Sequence, residues 1–261
     1  MKKSLLDVIF MSEKRKRSLL LLQDGPKEME ALLTSLKTNR QSLLPQIRLL
    51  EEHHLVSHNK DVYELTTIGR LLVNEMKPLV DTLEIFDTNI DYWGSHKLDF
   101  LPPHLYERIG DLGKCTVINP SFAEIYELNH DYHEATKKSR FTTIVTTIVH
   151  PNFPSLFAEM LQNGVEVYDL LANNLYEKLL ADNYDEVAKI LSNKLVHVLV
   201  YPKEMGFVYF SYNDYMLILC LLTDKGEFDN KQVIYTTPSA IKWATDLFEY
   251  YLKDSTPITD I

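Results

Sequence analysis

Apolar residues in the first quarter of the chain recur at helical spacing. Met29, Leu32, Leu33 and Leu36 line one side of "PKEMEALLTSL", and Leu43, Ile47 and Leu50 line one side of "RQSLLPQIRLLEE", opposite Arg40, Gln41, Pro45 and Arg48. Ahead of them, after a short leader helix, "SEKRKRSLLLLQDGP" places a capping Ser12 and an acidic Glu13 before a leucine run that Gly25 and Pro26 close. Pro26 suits a helix start and Asn39 suits an N-cap. The period then changes. "HLVSHNKDVYELTTIG" predicts two short strands, about 55–57 and 62–65, around an "HNKD" turn, followed by a helix capped by Thr66 or Thr67. Three helices followed by a small hairpin predict a winged helix-turn-helix over residues 1–77.

Residues 78–113 read as connecting helices, interrupted at Leu101 to Pro103. Beyond them, apolar β-branched runs alternate with amphipathic stretches. "KCTVIN", "RFTTIVTTIVH" and "VEVYDLL" predict strands, separated by helices in "SFAEIYELNHDYHEATKKS" and "NFPSLFAEMLQNG" and followed by helices in "NNLYEKLLADNYDEVAKILS". "LVHVLVY", "GFVYFSY" and "YMLILCLLT" stand close together and predict an antiparallel stretch. "VIYTT" and the amphipathic "PSAIKWATDLFEYYLK" close the chain with a strand and a helix. The expected fold is α/β: an N-terminal α+β winged helix-turn-helix, then a mixed, partly parallel sheet flanked by helices over residues 114–255, an effector or dimerisation domain.

Charge divides the chain in the same place. The net charge of −10 is the sum of +3 over residues 1–77, which hold 13 Lys and Arg against 10 Asp and Glu, and −13 over the rest. A locally basic module still condenses on phosphate while an acidic partner domain keeps non-specific affinity low. With 45 % hydrophobic and 25 % charged residues and no long apolar run, the expectation is a soluble, cytoplasmic chain with no membrane contact. "MKKSLLDVIFMSEKRKR" lacks the cleavage site of a signal peptide. Cys115 and Cys220 sit in strand-like runs and read as buried thiols, with a redox role as the alternative.

Pro45 is the puzzle of the third helix. Counted from an N-cap at Asn39 it lies past the first turn, removes the hydrogen bond to the Gln41 carbonyl and costs about 3 kcal/mol. Either the helix kinks there, tilting residues 40–44 toward a major groove, or the helix begins later and Pro45 stands in its first turn. In both cases Arg40, Gln41, Ser42 and Gln46 are the base-reading candidates: Arg and Gln match guanine and adenine edges bidentately, and Ser bonds a base or a phosphate. Lys14, Arg15, Lys16, Arg17, Arg48 and Lys60 are the candidates for phosphate contacts, which set register and salt dependence.

The stretch "LLEEHHLVSHNKDVYELTTIGRLLV" resembles bacterial and archaeal winged-helix regulators, with His54 where that pattern has Gly. Together with "SLLPQIRLLEE", "PSLFAEMLQNGVEVYDLL" and "LLTDKGEFDNKQVIYTTPSAIKWATDLFEYYLK", it is similar to archaeal winged-helix transcriptional regulators of the methanogenesis-regulatory type. The resemblance covers most of the chain and implies an effector or dimerisation domain appended to a DNA reader. Effector domains of some such regulators resemble phospholipase-D-like folds, whose chemistry needs His-x-Lys-x₄-Asp. Here the His-x-Lys is His58-Asn59-Lys60, with Leu65 in the place of the aspartate.

No GxGxxG, GxxxxGK[ST] or GxSxG is present, and no catalytic residue, cofactor or metal is expected. His130 and His133 stand three apart without a third ligand to close a zinc site. Arg140, Thr142, His150, Tyr168, Tyr209 and Tyr212 lie on or beside predicted strands and form the candidate effector pocket. The expected function is a sequence-specific, DNA-binding transcriptional regulator, a homodimer on double-stranded DNA, whose second domain senses an unknown small-molecule effector or a redox signal. The alternative is a protein-interaction module with an α/β scaffold and no sequence-specific DNA binding.

Overall fold

The computed structural model describes residues 4–121 and 129–259. The chain divides into two compact units, residues 1–80 and 81–261. In the first, helices α1 (Leu5–Phe10) and α2 (Glu13–Leu21) are followed by strand β1 (Lys27–Glu28), helices α3 (Met29–Leu36) and α4 (Arg40–Glu52), strands β2 (Val56–Asn59) and β3 (Val62–Leu65), and the greater part of helix α5 (Thr67–Asp87), which continues into the second. The three strands form one antiparallel sheet in the order β1-β3-β2. This is a winged helix-turn-helix.

Its boundaries follow from local chemistry. The Ser12 hydroxyl accepts the Arg15 N–H at 3.4 Å, and the Asn39 side chain accepts the Ser42 N–H at 2.9 Å, so both predicted N-caps are made. Leu43, Ile47 and Leu50 of α4 are fully buried with Leu32 and Met29 of α3. Pro26 does not open a helix. Lys27 and Glu28 instead pair with Val62 and Tyr63, occupying backbone groups on the second edge of β3 and delaying the helix to Met29.

At the end of α4 the Leu55 N–H donates to the Leu50 carbonyl and the His54 N–H to the Glu51 carbonyl, both at 2.9 Å. That Schellman closure needs a left-handed residue, and His54 supplies it at φ 58°. Thr66 then donates its hydroxyl to the His54 carbonyl at 2.6 Å and accepts the Gly69 N–H at 3.0 Å. A Cβ at Gly69 would lie 2.0 Å from the Leu55 carbonyl oxygen, so the "LTTIG" turn requires glycine at that position.

The second unit contains α6 (Ile90–Trp93), α7 (Pro103–Tyr106), β4 (Thr116–Ile118), α8 (His130–Lys137), β5 (Phe141–Thr146), α9 (Phe153–Gln162), β6 (Glu166–Ala172), α10 (Asn173–Asp182) and α11 (Tyr184–Leu191). It continues through β7 (Val196–Tyr201), β8 (Tyr209–Asn213), β9 (Leu217–Leu222), β10 (Phe228–Tyr235), α12 (Pro238–Leu252) and β11 (Thr256–Ile258). Eight strands form one mixed sheet, β11-β7-β6-β5-β8-β9-β10-β4, in which β5, β6 and β7 run parallel and the remaining pairings are antiparallel.

Helix α12 covers one face, packing on β7, β8 and β9, while α9, α10 and α11 pack on β6 and β7. On the α12 side Phe248 meets Tyr168 and Tyr212 edge-on. Of the segment expected to connect the domains, residues 81–113 fall in this unit. Ile85, Trp93, Leu101, Leu105 and Leu112 join its core, the Trp243 indole N–H donates to the Leu105 carbonyl at 3.2 Å, and Arg108 pairs with Asp246 at 2.8 Å. Strand β11 was not foreseen from its Thr-Pro-Ile composition. Of the helix expected over 121–139, residues 122–128 lie outside the described residues.

Candidate nucleic-acid interface and ligand cavity

Helix α4 presents two stripes. Leu43, Ile47 and Leu50 face the core, and Gln41, Pro45, Arg48 and Glu52 are exposed along the opposite side. Pro45 lies inside the helix, whose first residue is Arg40, so the reading in which the helix begins later does not hold. Burial of the leucine stripe on one face outweighs the single hydrogen bond that proline removes.

The candidate contacts separate into those that are free and those that are engaged. Arg15 is buried at 8 % exposure: its guanidinium donates to the backbone carbonyls of Val8 and Asp7 and, at 2.7 Å, to the Gln46 carbonyl oxygen. Ser12 also donates to Gln46, at 3.3 Å. Arg15 and Gln46 therefore tie α1, α2 and α4 together, and neither is available as a phosphate or base contact. A buried guanidinium needs several acceptors, and Gln46 and two carbonyls provide them.

Lys14 donates to the Ser42 hydroxyl, joining α2 to the first turn of α4. Arg40 pairs with Asp61 in the wing turn at 2.6 Å, and this neighbouring carboxylate raises its pKa further. Lys16 pairs with Glu13 at 2.7 Å. Arg17, Gln41, Arg48 and Lys60 are exposed, Lys60 at the wing tip with φ 56°. Sequence reasoning overlooked Lys37, exposed and left-handed at φ 49° in the turn between α3 and α4. Its signal was positional: a basic residue two places before the N-cap of α4.

In the second unit, a cavity of about 540 Å³ lies on the sheet face opposite α12. Of the candidate effector-pocket residues, Thr142, His150 and Tyr209 line it; Arg140, Tyr168 and Tyr212 do not. Strand alternation explains the split. Tyr168 and Tyr212 point to the α12 side, where Tyr168 stacks on His197 with ring centroids 4.7 Å apart. Arg140 precedes β5 and pairs with Asp214 at 2.6 Å.

The cavity holds a group that the sequence reading did not single out, Asp169 of β6. In the sheet it stands between Ile144 of β5 and Val198 of β7, and both neighbours line the cavity. Its Oδ1 has no hydrogen-bond partner, and burial pushes the carboxyl up to about 7. Elsewhere on the wall the Tyr132 hydroxyl bonds Ser211 at 2.7 Å, and Ser211 donates to the Thr143 carbonyl at 2.7 Å. The signal for Asp169 was its place: an acidic residue inside the apolar run "VEVYDLL".

His133 pairs with Glu159 at 2.8 Å, and among the described residues no cluster of three or more His, Cys, Asp or Glu is placed to hold a metal ion. Burial raises the Cys220 thiol to about 12 and also raises Cys115, so both remain protonated at neutral pH. Among the described residues no helix is long and apolar enough to cross a membrane.

Two family models match in order along the chain: the N-terminal domain of the methanogenesis regulatory protein FilR1 over residues 3–84 and its middle domain over residues 125–254. The methanogenesis regulatory protein FilR1 of Methanothrix harundinacea is 24 % identical over 253 residues, covering 95 % of this chain. The chain spans 56 % of that relative's length. Among solved structures, the archaeal chromatin protein TrmBL2 aligns over 97 % of both chains at 14 % identity and TM-score 0.42. Nuc from Salmonella typhimurium, a phospholipase D family member, aligns over 56 % of this chain and all of its own at 9 % identity and TM-score 0.41.

Proposed function

The chain belongs to the family of the methanogenesis regulatory protein FilR1, and on that premise we propose that it is a DNA-binding transcriptional regulator whose second unit responds to a small molecule. The observation that carries the reading is the exposed stripe of α4. In a winged helix, that side of the second helix of the helix-turn-helix enters the major groove. Gln41 and Arg48 are then the side chains placed for base edges, while Arg17, Lys37 and Lys60 suit the flanking phosphates.

Arg40 holds the wing turn to the start of α4 through Asp61, which fixes the wing relative to the reading helix; on DNA it exchanges that carboxylate for a phosphate or base. Pro45 stands in the middle of the stripe and contributes apolar surface, the kind of contact that meets a thymine methyl. Two-fold operators match a homodimer, and a ligand in the second unit would act by shifting the spacing of the two winged helices.

The test is binding of the purified protein to the DNA upstream of its own gene and to a scrambled duplex, across a salt series. Preference for the native sequence with affinity falling steeply as salt rises is the expected result. Salt-insensitive binding without sequence preference would reject the reading and favour a protein-interaction module.

A further inference from the structure

The cavity of the second unit is mostly hydrocarbon. Leu175 and Leu179 of α10, with Val187 and Ile190 of α11, wall the part that covers β6 and β7. On its sheet side, between the side chains of Ile144 and Val198, stands the Asp169 carboxyl with an unpartnered oxygen. The residue is 9 % exposed. A buried acceptor without a donor is costly, and a native sheet carries few of them. Nothing in the packing demands a carboxyl here, since the flanking cross-strand positions are both aliphatic.

We propose that Asp169 is a ligand-recognition residue and that the cavity binds a small organic amine, an apolar body with one protonated nitrogen that donates to the Asp169 carboxylate. This inference rests on the reading of the second unit as an effector domain. Two observations favour an amine over a neutral or anionic ligand, and a third sets its size. The recognition group is an acid, and an ammonium-to-carboxylate hydrogen bond is about twice as strong as a neutral one. Residues 78–261 carry a net charge of −13, which concentrates cations and repels anions. The volume of about 540 Å³ accepts a molecule of roughly ten to fifteen heavy atoms, and the walls around α10 and α11 offer hydrocarbon for its body.

The other polar groups on the wall are already occupied or differ in kind. Tyr132 is committed to Ser211, and His133 to Glu159. His150 is in place to accept the Asn152 N–H at 3.1 Å. Among the described residues, Asp169 is thus the acid available to a cation in the apolar part of the cavity.

The experiment titrates the full-length protein, without DNA, with octylamine, 1-octanol and octanoate, following heat release and the fluorescence of Trp93 and Trp243, both of which lie in this unit. Octylamine is expected to bind about ten-fold or more tighter than the equally long alcohol, and octanoate not at all. In Asp169→Asn the preference of amine over alcohol should fall to about two-fold or less while the alcohol still binds. Equal affinity for amine and alcohol in the unaltered protein overturns the proposal, as does an amine preference that survives in Asp169→Asn. The ligand series in the unaltered protein decides the matter even if that variant does not fold. Because no DNA is present, failure here is separate from failure of the salt-series test.

Discussion

Asp169 also makes the stability of the second unit depend on pH in a defined direction. Replacing it by Asn keeps its shape and removes its titration. In the folded chain burial raises the carboxyl from 3.8 to about 7, so the folded state holds this proton more tightly than the unfolded state. The stabilisation from that proton is complete below about pH 4 and is lost as pH rises through about 7. The displacement corresponds to about 4 kcal/mol across that window, less where water entering the cavity solvates the ionised form.

Asp169→Asn should therefore gain on the unaltered protein by about 2 to 4 kcal/mol between about pH 4 and pH 8. The carboxamide brings donors of its own, which shift its curve by a constant and leave the slope of the difference untouched. Urea unfolding followed by tryptophan fluorescence reports this unit, because Trp93 and Trp243 are buried in its core. Parallel stability curves for the two proteins across that pH range would show that the carboxyl is solvated or partnered in solution, and would refute the reasoning.

Other consequences are confined to the winged helix. Gly69→Ala places a Cβ 2.0 Å from the Leu55 carbonyl, and should cost about 3 kcal/mol or more, read as loss of amide-exchange protection at Leu50 and Leu55. His54→Gly relieves a left-handed non-glycine residue and should stabilise the unit by about 0.5 to 1 kcal/mol in the same assay. Pro45→Ala restores a donor for the Gln41 carbonyl and should stabilise the unit by about 1 to 3 kcal/mol, while altering operator preference if the proline meets DNA. Gln41→Ala should relax base preference by about 1 to 3 kcal/mol, whereas Arg17→Ala should weaken native and scrambled duplexes alike and flatten the salt slope; equal losses on both duplexes from both variants would remove the assigned roles.

Much of the first unit is legible in its sequence because each element there carries its own signal. Ser12 and Asn39 cap where their side chains can reach the third following N–H, and the spacing of Leu43, Ile47 and Leu50 sets which side of α4 is buried. The second unit is less legible where pairing is non-local. The expected antiparallel stretch does not include "LVHVLVY", which pairs parallel with "VEVYDLL", while "GFVYFSY" runs against "RFTTIVTT". The packing of residues 81–113 is hard to read for a related reason: short helices and single apolar residues such as Leu105 take their place against α12, which lies more than a hundred residues on.

The candidate sites show where composition stops being informative. "KRKR" is a uniform run of charge in the sequence, yet a helix turns successive residues through about 100°, so the fold separates four similar side chains into different roles. Arg15 faces inward and holds three elements together, Lys14 reaches Ser42, Lys16 folds back on Glu13, and Arg17 alone of the four is fully on the surface. Treating the run as one phosphate patch assigns DNA affinity to a residue whose loss would instead take the guanidinium away from Val8, Asp7 and Gln46 and loosen the joint between α1, α2 and α4. The same alternation acts in the sheet. Tyr168 and Asp169 are adjacent in sequence and opposite in space, so a reader drawn to the aromatic residue selects the packed face, and the acid beside it holds the cavity. In both cases the residue type suggested chemistry, while the side of the element decided whether that chemistry was available to a ligand.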